Sequence, residues 1–122
     1  DSLITDGAII SPGARVERSV LSPGVYIGPN AVVRESIIFT DSYVEAGARV
    51  ERAVIDKRVT IGHNCRIGEI DPEAEGLGIT TVGKGAQIPN GVKVGRGAVI
   101  GPDVTADMFV RKVVGKGKTL ER

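Results

Sequence analysis

Aromatic residues and cysteine are the first things that this sequence lacks. Its 122 residues include no tryptophan, two tyrosines, two phenylalanines and a single cysteine. One cysteine excludes an internal disulfide and weakly indicates a reducing compartment. No apolar run approaches the ~20 residues of a membrane span, and no signal peptide is recognisable. We therefore expect a cytoplasmic protein without a membrane partner.

An excess of charge of one sign is missing as well. Sixteen lysines and arginines stand against fifteen aspartates and glutamates, which gives a formal net charge of +1. No global field attracts nucleic acid, so we expect no nucleic-acid partner. The length suits a single domain. Because the chain begins at Asp1 and its only methionine is Met108, we expect it to belong to a longer protein.

Branched aliphatic residues and glycine are what the sequence has instead, and they recur with a fixed period. Steps of 17 residues from Ile4, Ile10 and Val16 reach only leucine, isoleucine or valine. The positions reached are Leu21, Ile27, Val33, Ile38, Val44, Val50, Ile55, Ile61 and Ile67. After a break, the repeat returns over residues 82–105 as the hexapeptides VGKGAQ, IPNGVK, VGRGAV and IGPDVT.

Each six-residue unit is typical of a short strand followed by a corner. A small residue stands four places after the aliphatic one, at Ala14, Ala31, Ala48 and Cys65. The residue before it is glycine or asparagine, which tolerate a left-handed backbone. Three units close a triangular coil, and coils stack at the parallel-sheet spacing of ~4.8 Å. The pattern predicts an all-β fold, a single-stranded left-handed parallel β-helix over residues 1–105.

The same register predicts two columns of charged residues on the surface. The first contains Glu17, Arg34 and Glu51, and the second contains Arg18, Glu35, Arg52 and Glu69. Signs alternate along both columns, so neighbouring coils present opposite charges to each other. Such pairs contribute ~0.2–1 kcal/mol each and disfavour a slipped register. We interpret these residues as a solvated charge ladder rather than a ligand site.

The stretch VIDKRVTIGHNCRIG, residues 54–68, contains the only histidine and the only cysteine. Cys65 falls in the small inward column, so we expect it to be buried. His63 takes the corner position that Pro12 and Pro29 hold in earlier coils, so its side chain is expected to point outward. One residue faces in and the other out, which argues against a shared His–Cys site. No metal site is predicted.

Two segments interrupt the repeat. The stretch EIDPEAEGLGIT contains proline, glycine and four acidic residues, and it predicts a loop ejected from a corner over residues 69–81. The tail, residues 106–122, is basic and abandons the hexapeptide. Its VRKVV core is a candidate for a terminal strand that caps the open end of the β-helix. The GKGK sequence is too short for a phosphate-binding loop.

Three strings are more specific than the hexapeptide itself: SLITDGAIISPGARVERSVLSPGVYIG, AVIDKRVTIGHNCRIG, and GITTVGKGAQIPNG after the acidic loop. Over about residues 2–92 the sequence resembles the C-terminal β-helix domain of ADP-glucose pyrophosphorylase (glucose-1-phosphate adenylyltransferase). The resemblance implies a parent nucleotidyltransferase that makes ADP-glucose and pyrophosphate from ATP and glucose 1-phosphate with Mg²⁺, for glycogen or starch synthesis. The N-terminal catalytic domain of that family is absent from this sequence. The chain itself would then be non-catalytic and hold no cofactor.

The resemblance also implies partners and an effector site. The β-helix domain of the family helps to assemble a homotetramer and takes part in allosteric regulation by phosphorylated metabolites. Effector-linked lysines of photosynthetic members lie in strings similar to IDK and GIxxVxK, which match Lys57 and Lys84 here. A lysine ammonium is a mobile point charge suited to phosphate. The two lysines flank the predicted loop, so we expect them in neighbouring coils.

Two other functions remain open. Hexapeptide acyltransferases use a corner histidine as the general base while acyl-CoA lies along the prism, and His63 has the right residue type for that role. A purely structural solenoid without a ligand is the third possibility. Binding of acetyl-CoA would separate the acyltransferase from the others, and a rise in melting temperature with sugar phosphates would favour the regulatory domain.

Overall fold

A computed structural model describes residues 2–69 and 78–122, with the side chain of residue 69 excepted. Within these ranges the chain forms short parallel strands and one 3₁₀ helix, Ala106–Met108. In chain order the strands are β1 (Leu3–Ile4), β2 (Ile9–Ile10), β3 (Arg15–Glu17), β4 (Val20–Leu21), β5 (Tyr26–Ile27), β6 (Val32–Arg34), β7 (Ile37–Ile38), β8 (Tyr43–Val44), β9 (Arg49–Glu51), β10 (Ala53–Ile55), β11 (Thr60–Ile61), β12 (Arg66–Glu69), β13 (Thr80–Val82), β14 (Gln87–Ile88), β15 (Lys93–Gly95), β16 (Val99–Ile100), β17 (Val113–Val114) and β18 (Thr119–Leu120).

The strands form three parallel sheets that the chain visits in turn. Across the described residues, sheet A has seven strands in the order β1-β4-β7-β10-β13-β16-β18. Sheet B has five, β14-β11-β8-β5-β2, and sheet C has six, β17-β15-β12-β9-β6-β3. Leu3 pairs with Val20 and Ile4 with Leu21, so each residue meets the equivalent position of the next coil. The predicted left-handed parallel β-helix is confirmed, with about six coils.

The aliphatic residue that begins each unit points into the prism. From Leu21 to Ile100 these side chains are at most 2% exposed. Burying one isoleucine or leucine contributes about 1.5–3 kcal/mol. In the first coil, Ile4 and Ile10 remain 44% and 38% exposed, because β1 and β2 are edge strands of their sheets. The narrow interior explains why the sequence has so few aromatic residues.

The corner between sheets B and C alternates glycine with asparagine for a reason that the repeat alone did not reveal. Gly13, Asn30, Gly47 and Asn64 all have a left-handed backbone, with φ of 79°, 60°, 72° and 58°. The predicted left-handed corners are confirmed. A Cβ on Gly47 would collide with Oδ1 of Asn64 in the next coil, and Gly13 has the same relation to Asn30. Each asparagine side chain therefore occupies the space that the glycine of the preceding coil leaves free.

The corner between sheets C and A is held by buried serine hydroxyls. Ser36 N–H donates to Oγ of Ser19 at 3.1 Å, and Ala53 N–H donates to Oγ of Ser36 at 3.1 Å. The Ser36 hydroxyl in turn donates to the carbonyl oxygen of Arg34 at 2.8 Å. The serines follow left-handed residues in their own coils. Their hydroxyls accept the buried N–H groups of the next coil, which would otherwise lack partners.

The interruption of the repeat lies between sheets C and A. Ala53 pairs with Thr80, an offset of 27 rather than 17, so ten residues are inserted. The predicted loop over 69–81 is too long at both ends, because β12 runs to Glu69 and β13 begins at Thr80. Residues 70–77 lie outside the described residues.

The charge column predicted for Glu69 is wrong. After Ile67 pairs with Val94, the next pair is Glu69 with Gly95, so Gly68 forms a bulge. Gly68 has a φ of 73°, and a Cβ there would collide with the carbonyl oxygen of Glu51. The bulge places Glu69 opposite Gly95, out of register with Arg52.

The tail continues the β-helix beyond residue 105, where the hexapeptides end. Within VRKVV the structure has β17, which pairs with β15, so a terminal strand does form there. A second strand that was not predicted, β18, pairs with β16 and places Thr119 beside Val99, so this coil is longer than the regular ones. The 3₁₀ helix interrupts this last coil, and Phe109 joins the hydrophobic core with 8% exposure.

Candidate functional site

The three outward faces of the prism differ in chemistry. Sheet A contains no charged residue in any of its described strands. On sheet B the rings of Tyr26 and Tyr43 lie 5.5 Å apart. On sheet C three cations occupy consecutive strands, because Arg66 pairs with both Arg49 and Lys93. Anionic ligands therefore have candidate sites on sheet C and at the corners that carry lysines.

Lys57 and Lys84 occupy the corner between sheets A and B. The N–H of Gly85 donates to the carbonyl oxygen of Lys57 at 2.9 Å, so the two lysines are stacked in neighbouring coils as expected. Both side chains are exposed at the corner. Parallel strands are spaced about 4.8 Å apart, a separation that lets two ammonium groups reach oxygens of a single phosphate.

Other charged residues share this corner. Arg58 follows Lys57 in a left-handed conformation with a φ of 53°. The N–H of Lys57 donates to Oδ1 of Asp56 at 2.7 Å, and the N–H of Asp103 donates to the carbonyl oxygen of Lys84 at 2.9 Å. The corner is thus a mixed-charge surface that carries three cations rather than an enclosed pocket.

The structure separates His63 from Cys65 as the repeat predicts. The imidazole of His63 is exposed, whereas Cys65 is fully buried. The Cys65 thiol donates to the carbonyl oxygen of Pro89 at 3.0 Å. Burial raises the pKa of the Cys65 thiol, so the reactive thiolate is disfavoured at neutral pH. The two side chains do not form a common site.

A shallow groove beside His63 was not predicted. It has a volume of about 480 Å³, and its lining includes Glu45, Thr60, Gln87 and Asn90 as well as His63. The N–H of His63 donates to Oδ1 of Asn90 at 2.8 Å. Ala106 of the 3₁₀ helix lines the same groove. The groove thus brings together an imidazole and a carboxylate, two groups that can transfer protons, and two amides that can form hydrogen bonds.

Ion pairs on sheet C and at its corner with sheet A agree only in part with the predicted charge columns. Arg18 pairs with Glu35 at 3.0 Å, and Arg34 pairs with Glu17 at 3.3 Å, both between neighbouring coils as predicted. Arg15–Glu17 and Arg49–Glu51 form within single strands instead, through residues two apart. Glu51 is 8% exposed, whereas the other three pairs are more exposed, and exposed pairs contribute about 0–1 kcal/mol each.

In residues 2–69 and 78–122 there is no group of three or more His, Cys, Asp or Glu side chains that converges to hold a metal ion. None of the helical structure described is long and apolar enough to cross a membrane.

Comparison with known proteins identifies the family. Residues 1–86 match the family model described as GlmU-like, C-terminal hexapeptide. The chain belongs to the GlmU-like C-terminal hexapeptide family. Among curated proteins, the glucose-1-phosphate adenylyltransferase of Acetivibrio thermocellus is 34% identical over 115 residues, which are 88% of this chain and 26% of the relative. That of Thermomicrobium roseum is 45% identical over 120 residues, which are 98% of this chain and 22% of the relative.

These matches confirm the resemblance to glucose-1-phosphate adenylyltransferases that the motifs indicated. This GlmU-like hexapeptide chain spans about a quarter of the length of the curated relatives that it matches. Lys57, Lys84 and His63 lie within the matched residues 1–86. The groove beside His63 extends past them to residue 106.

Solved structures support the hexapeptide fold. The GDP-perosamine N-acetyltransferase of Caulobacter crescentus aligns with a TM-score of 0.66 at 18% identity, over 99% of this chain and 53% of that protein. The acetyltransferase domain of PglB from Neisseria gonorrhoeae aligns with a TM-score of 0.53 at 19% identity, over 99% of this chain and 54% of that one. At these identities the likeness is one of fold alone.

Proposed function

We propose that this chain is the C-terminal assembly and allosteric domain of a glucose-1-phosphate adenylyltransferase and is itself non-catalytic. The parent protein would transfer the adenylyl group of ATP to glucose 1-phosphate, releasing pyrophosphate, in cytoplasmic glycogen biosynthesis. The observation that carries the proposal is the match of 88% and 98% of this chain to two curated relatives of that name. The specific strings around Lys57 and Lys84 add to it.

We assign the chemistry of the parent reaction to a part of the parent protein outside this chain. Mg²⁺ in such reactions is held by one or two carboxylates together with phosphate oxygens of the substrate. The described residues do not supply a converging set of acidic side chains. We therefore derive no catalytic step from this domain, and we assign ATP, glucose 1-phosphate and Mg²⁺ to the N-terminal catalytic domain.

The regulatory role assigned here rests on the stacked lysines. A phosphate group carries a charge of about −1.5 to −2 at pH 7, so it would relieve the repulsion between Lys57 and Lys84. An effector shifts an equilibrium only by binding two states with different affinity. The corner belongs to a rigid ladder, so we infer that the difference arises where the corner meets the catalytic domain. The effector phosphate would then bridge the two domains.

Assembly is assigned to the uncharged face. Ile37 and Val99 on sheet A are 39% and 40% exposed, and Leu3 is 62% exposed. An exposed aliphatic face of this kind is typical of an interaction surface. We propose that sheet A contributes to contacts within a homo-oligomer, a tetramer if the chain follows the adenylyltransferases it resembles.

The test of the regulatory role uses the complete gene product. Lys57→Gln combined with Lys84→Gln is expected to lower activation by phosphorylated metabolites by a larger factor than turnover without effector. Arg111→Gln is the matched control, because it removes an exposed cation from the tail. Equal activation in the double variant and the control would remove both lysines from the effector site.

A hexapeptide acyltransferase is the second candidate function, favoured by the groove that His63 shares with Glu45. In that reaction His63 would take a proton from an acceptor hydroxyl or amine while the acceptor attacks the acyl-CoA thioester. The C–S bond would then break, and the CoA thiolate would leave and take up that proton. Isothermal titration of this chain with acetyl-CoA separates the two functions. The regulatory domain predicts no binding, whereas saturable binding and acyl transfer that His63→Ala abolishes would establish the acyltransferase.

A further inference from the structure

The outward column of sheet B runs from two aromatic rings into the groove beside His63. Its side chains occupy equivalent positions in four successive coils: Tyr26, Tyr43, Thr60 and Gln87. Three strand spacings of about 4.8 Å make this column about 14 Å long. Thr60 and Gln87 line the groove, which therefore begins where the tyrosines end. A single elongated ligand can contact both parts.

Several polar side chains of this groove are available to a ligand. Within the described residues, no hydrogen bond or ion pair engages the side chains of Glu45, Thr60 or Gln87. Asn90 uses its Oδ1 to accept the N–H of His63 at 2.8 Å, so its Nδ2 remains a donor. The groove thus offers a carboxylate, a hydroxyl and two amides for hydrogen bonds.

The charge of the groove disfavours an anionic ligand. Among the described residues that line it, Glu45 is acidic and none is lysine or arginine. Lys112 donates to the carbonyl oxygen of Asn90 at 3.4 Å but does not line the groove. A phosphate or carboxylate would therefore meet the charge of Glu45 without a lysine or arginine to offset it. An uncharged ligand rich in hydroxyl groups suits this lining, because a hydroxyl both donates to a carboxylate and accepts from an amide.

The ring of Tyr43 adds an apolar contact at the entrance to the groove. Tyr43 is 48% exposed, and the ring of Tyr26 lies 5.5 Å from it in the preceding coil. Its neighbour in the following coil is Thr60, whose small side chain leaves the ring accessible from the groove. The negative face of an aromatic ring attracts the C–H groups of a sugar ring. An aromatic ring beside a carboxylate and two amides is therefore suited to a sugar.

We propose that this column and groove bind an uncharged, unbranched hexose oligosaccharide. One sugar ring would pack on Tyr43, and hydroxyl groups of the following sugars would donate to Glu45 and accept from Gln87 and Asn90. Hydrogen bonds to a charged acceptor are the stronger kind, so Glu45 is expected to contribute most. The site needs no proton transfer, and it lies away from the corner that carries the effector lysines. It therefore stands independently of both functions proposed above.

Amide NMR spectra of the 122-residue chain test the proposal, with maltohexaose and cellohexaose as neutral probes and hexagalacturonate as an anionic oligosaccharide of equal length. We expect saturable shifts with at least one neutral probe, confined to the residues of the column and groove, and no binding of hexagalacturonate. Glu45→Gln and Tyr43→Ala are each expected to weaken binding about tenfold or more. Phe39→Ala is the matched control, because it removes an exposed aromatic ring outside sheet B, and it should leave the affinity unchanged.

Three outcomes would overturn the proposal. One is the absence of saturable shifts with both neutral probes, or equal shifts with hexagalacturonate. Another is unchanged affinity in Glu45→Gln, with Gln87→Ala as the second variant if Glu45→Gln does not fold. The third is binding of acetyl-CoA at these residues without binding of either neutral probe, which would assign the groove to the acyltransferase. Failure of the parent protein to form ADP-glucose would not alter oligosaccharide binding, so the two proposals fail separately.

Discussion

Removal of a single buried hydroxyl tests how the corner between sheets C and A is stabilised. Ser36 is 2% exposed, and its Oγ accepts the N–H of Ala53 at 3.1 Å. In Ser36→Ala the carbonyl oxygen of Arg34 keeps the N–H of Arg52 as a donor at 3.0 Å. Only the Ala53 N–H loses its partner, and Ala53 is 1% exposed. An orphaned buried donor costs about 1–3 kcal/mol.

That loss should be visible in equilibrium unfolding followed by circular dichroism. We expect Ser36→Ala to lower the Tm by roughly 5–15 °C and to lower the urea midpoint without changing the m value. Ser22→Ala is the matched control, because Ser22 is half-buried and its hydroxyl forms no hydrogen bond within the described ranges. The control should stay within about 0.5 kcal/mol of the wild type. Equal midpoints for the two variants would refute the role given to the serine hydroxyls.

Three further substitutions probe other features. Gly47→Ala should lower the free energy of unfolding by about 1–2 kcal/mol because alanine disfavours the left-handed backbone, and by more because its Cβ collides with Asn64. In urea unfolding, Asn64→Gly added to that variant should restore only the loss that comes from the collision. Full recovery would contradict the cost assigned to the backbone. Burial raises the pKa of the Cys65 thiol above its ordinary value of 9.0. The protonated thiol therefore favours the folded state below pH 9.0, and this contribution to the free energy of unfolding should fall as the pH rises past 9.0. Cys65→Ala should remove this extra slope in unfolding measured from pH 7 to 10, and parallel slopes would show that the thiol does not contribute. His63→Ala should leave the urea midpoint unchanged, because the imidazole is exposed; a large loss would mean that the side chain packs inward.

Much of the fold was predictable because each regular coil repeats the same pattern of inward, outward and corner residues. Leu21, Ile38 and Ile55 lie above one another at successive repeats, so the period alone assigns their register. Inward and outward positions follow from that register, which is why the opposite orientations of His63 and Cys65 could be predicted. Ser19 and Ser36 are also spaced by this period, but the residue type alone does not reveal from which backbone N–H group each hydroxyl accepts a hydrogen bond.

The failures occur where the period changes. At Gly68 an extra residue in one strand shifts Glu69 by one position, and no fixed period anticipates a bulge. The last coil is longer than the regular ones and includes a 3₁₀ helix, so its course depends on tertiary packing around Phe109. The groove beside His63 is lined partly by Ala106 of that helix. This groove, which sequence reasoning missed, therefore depends on the irregular coil.

The most direct test of the central proposal is a product assay on the complete gene product that contains this chain. With ATP, glucose 1-phosphate and Mg²⁺, the protein is predicted to form ADP-glucose and release an equal amount of pyrophosphate, and omission of either substrate should abolish both products. Failure to form ADP-glucose, together with acetyl-CoA-dependent acylation that His63→Ala abolishes, would contradict the adenylyltransferase assignment and establish the groove beside His63 as an active site.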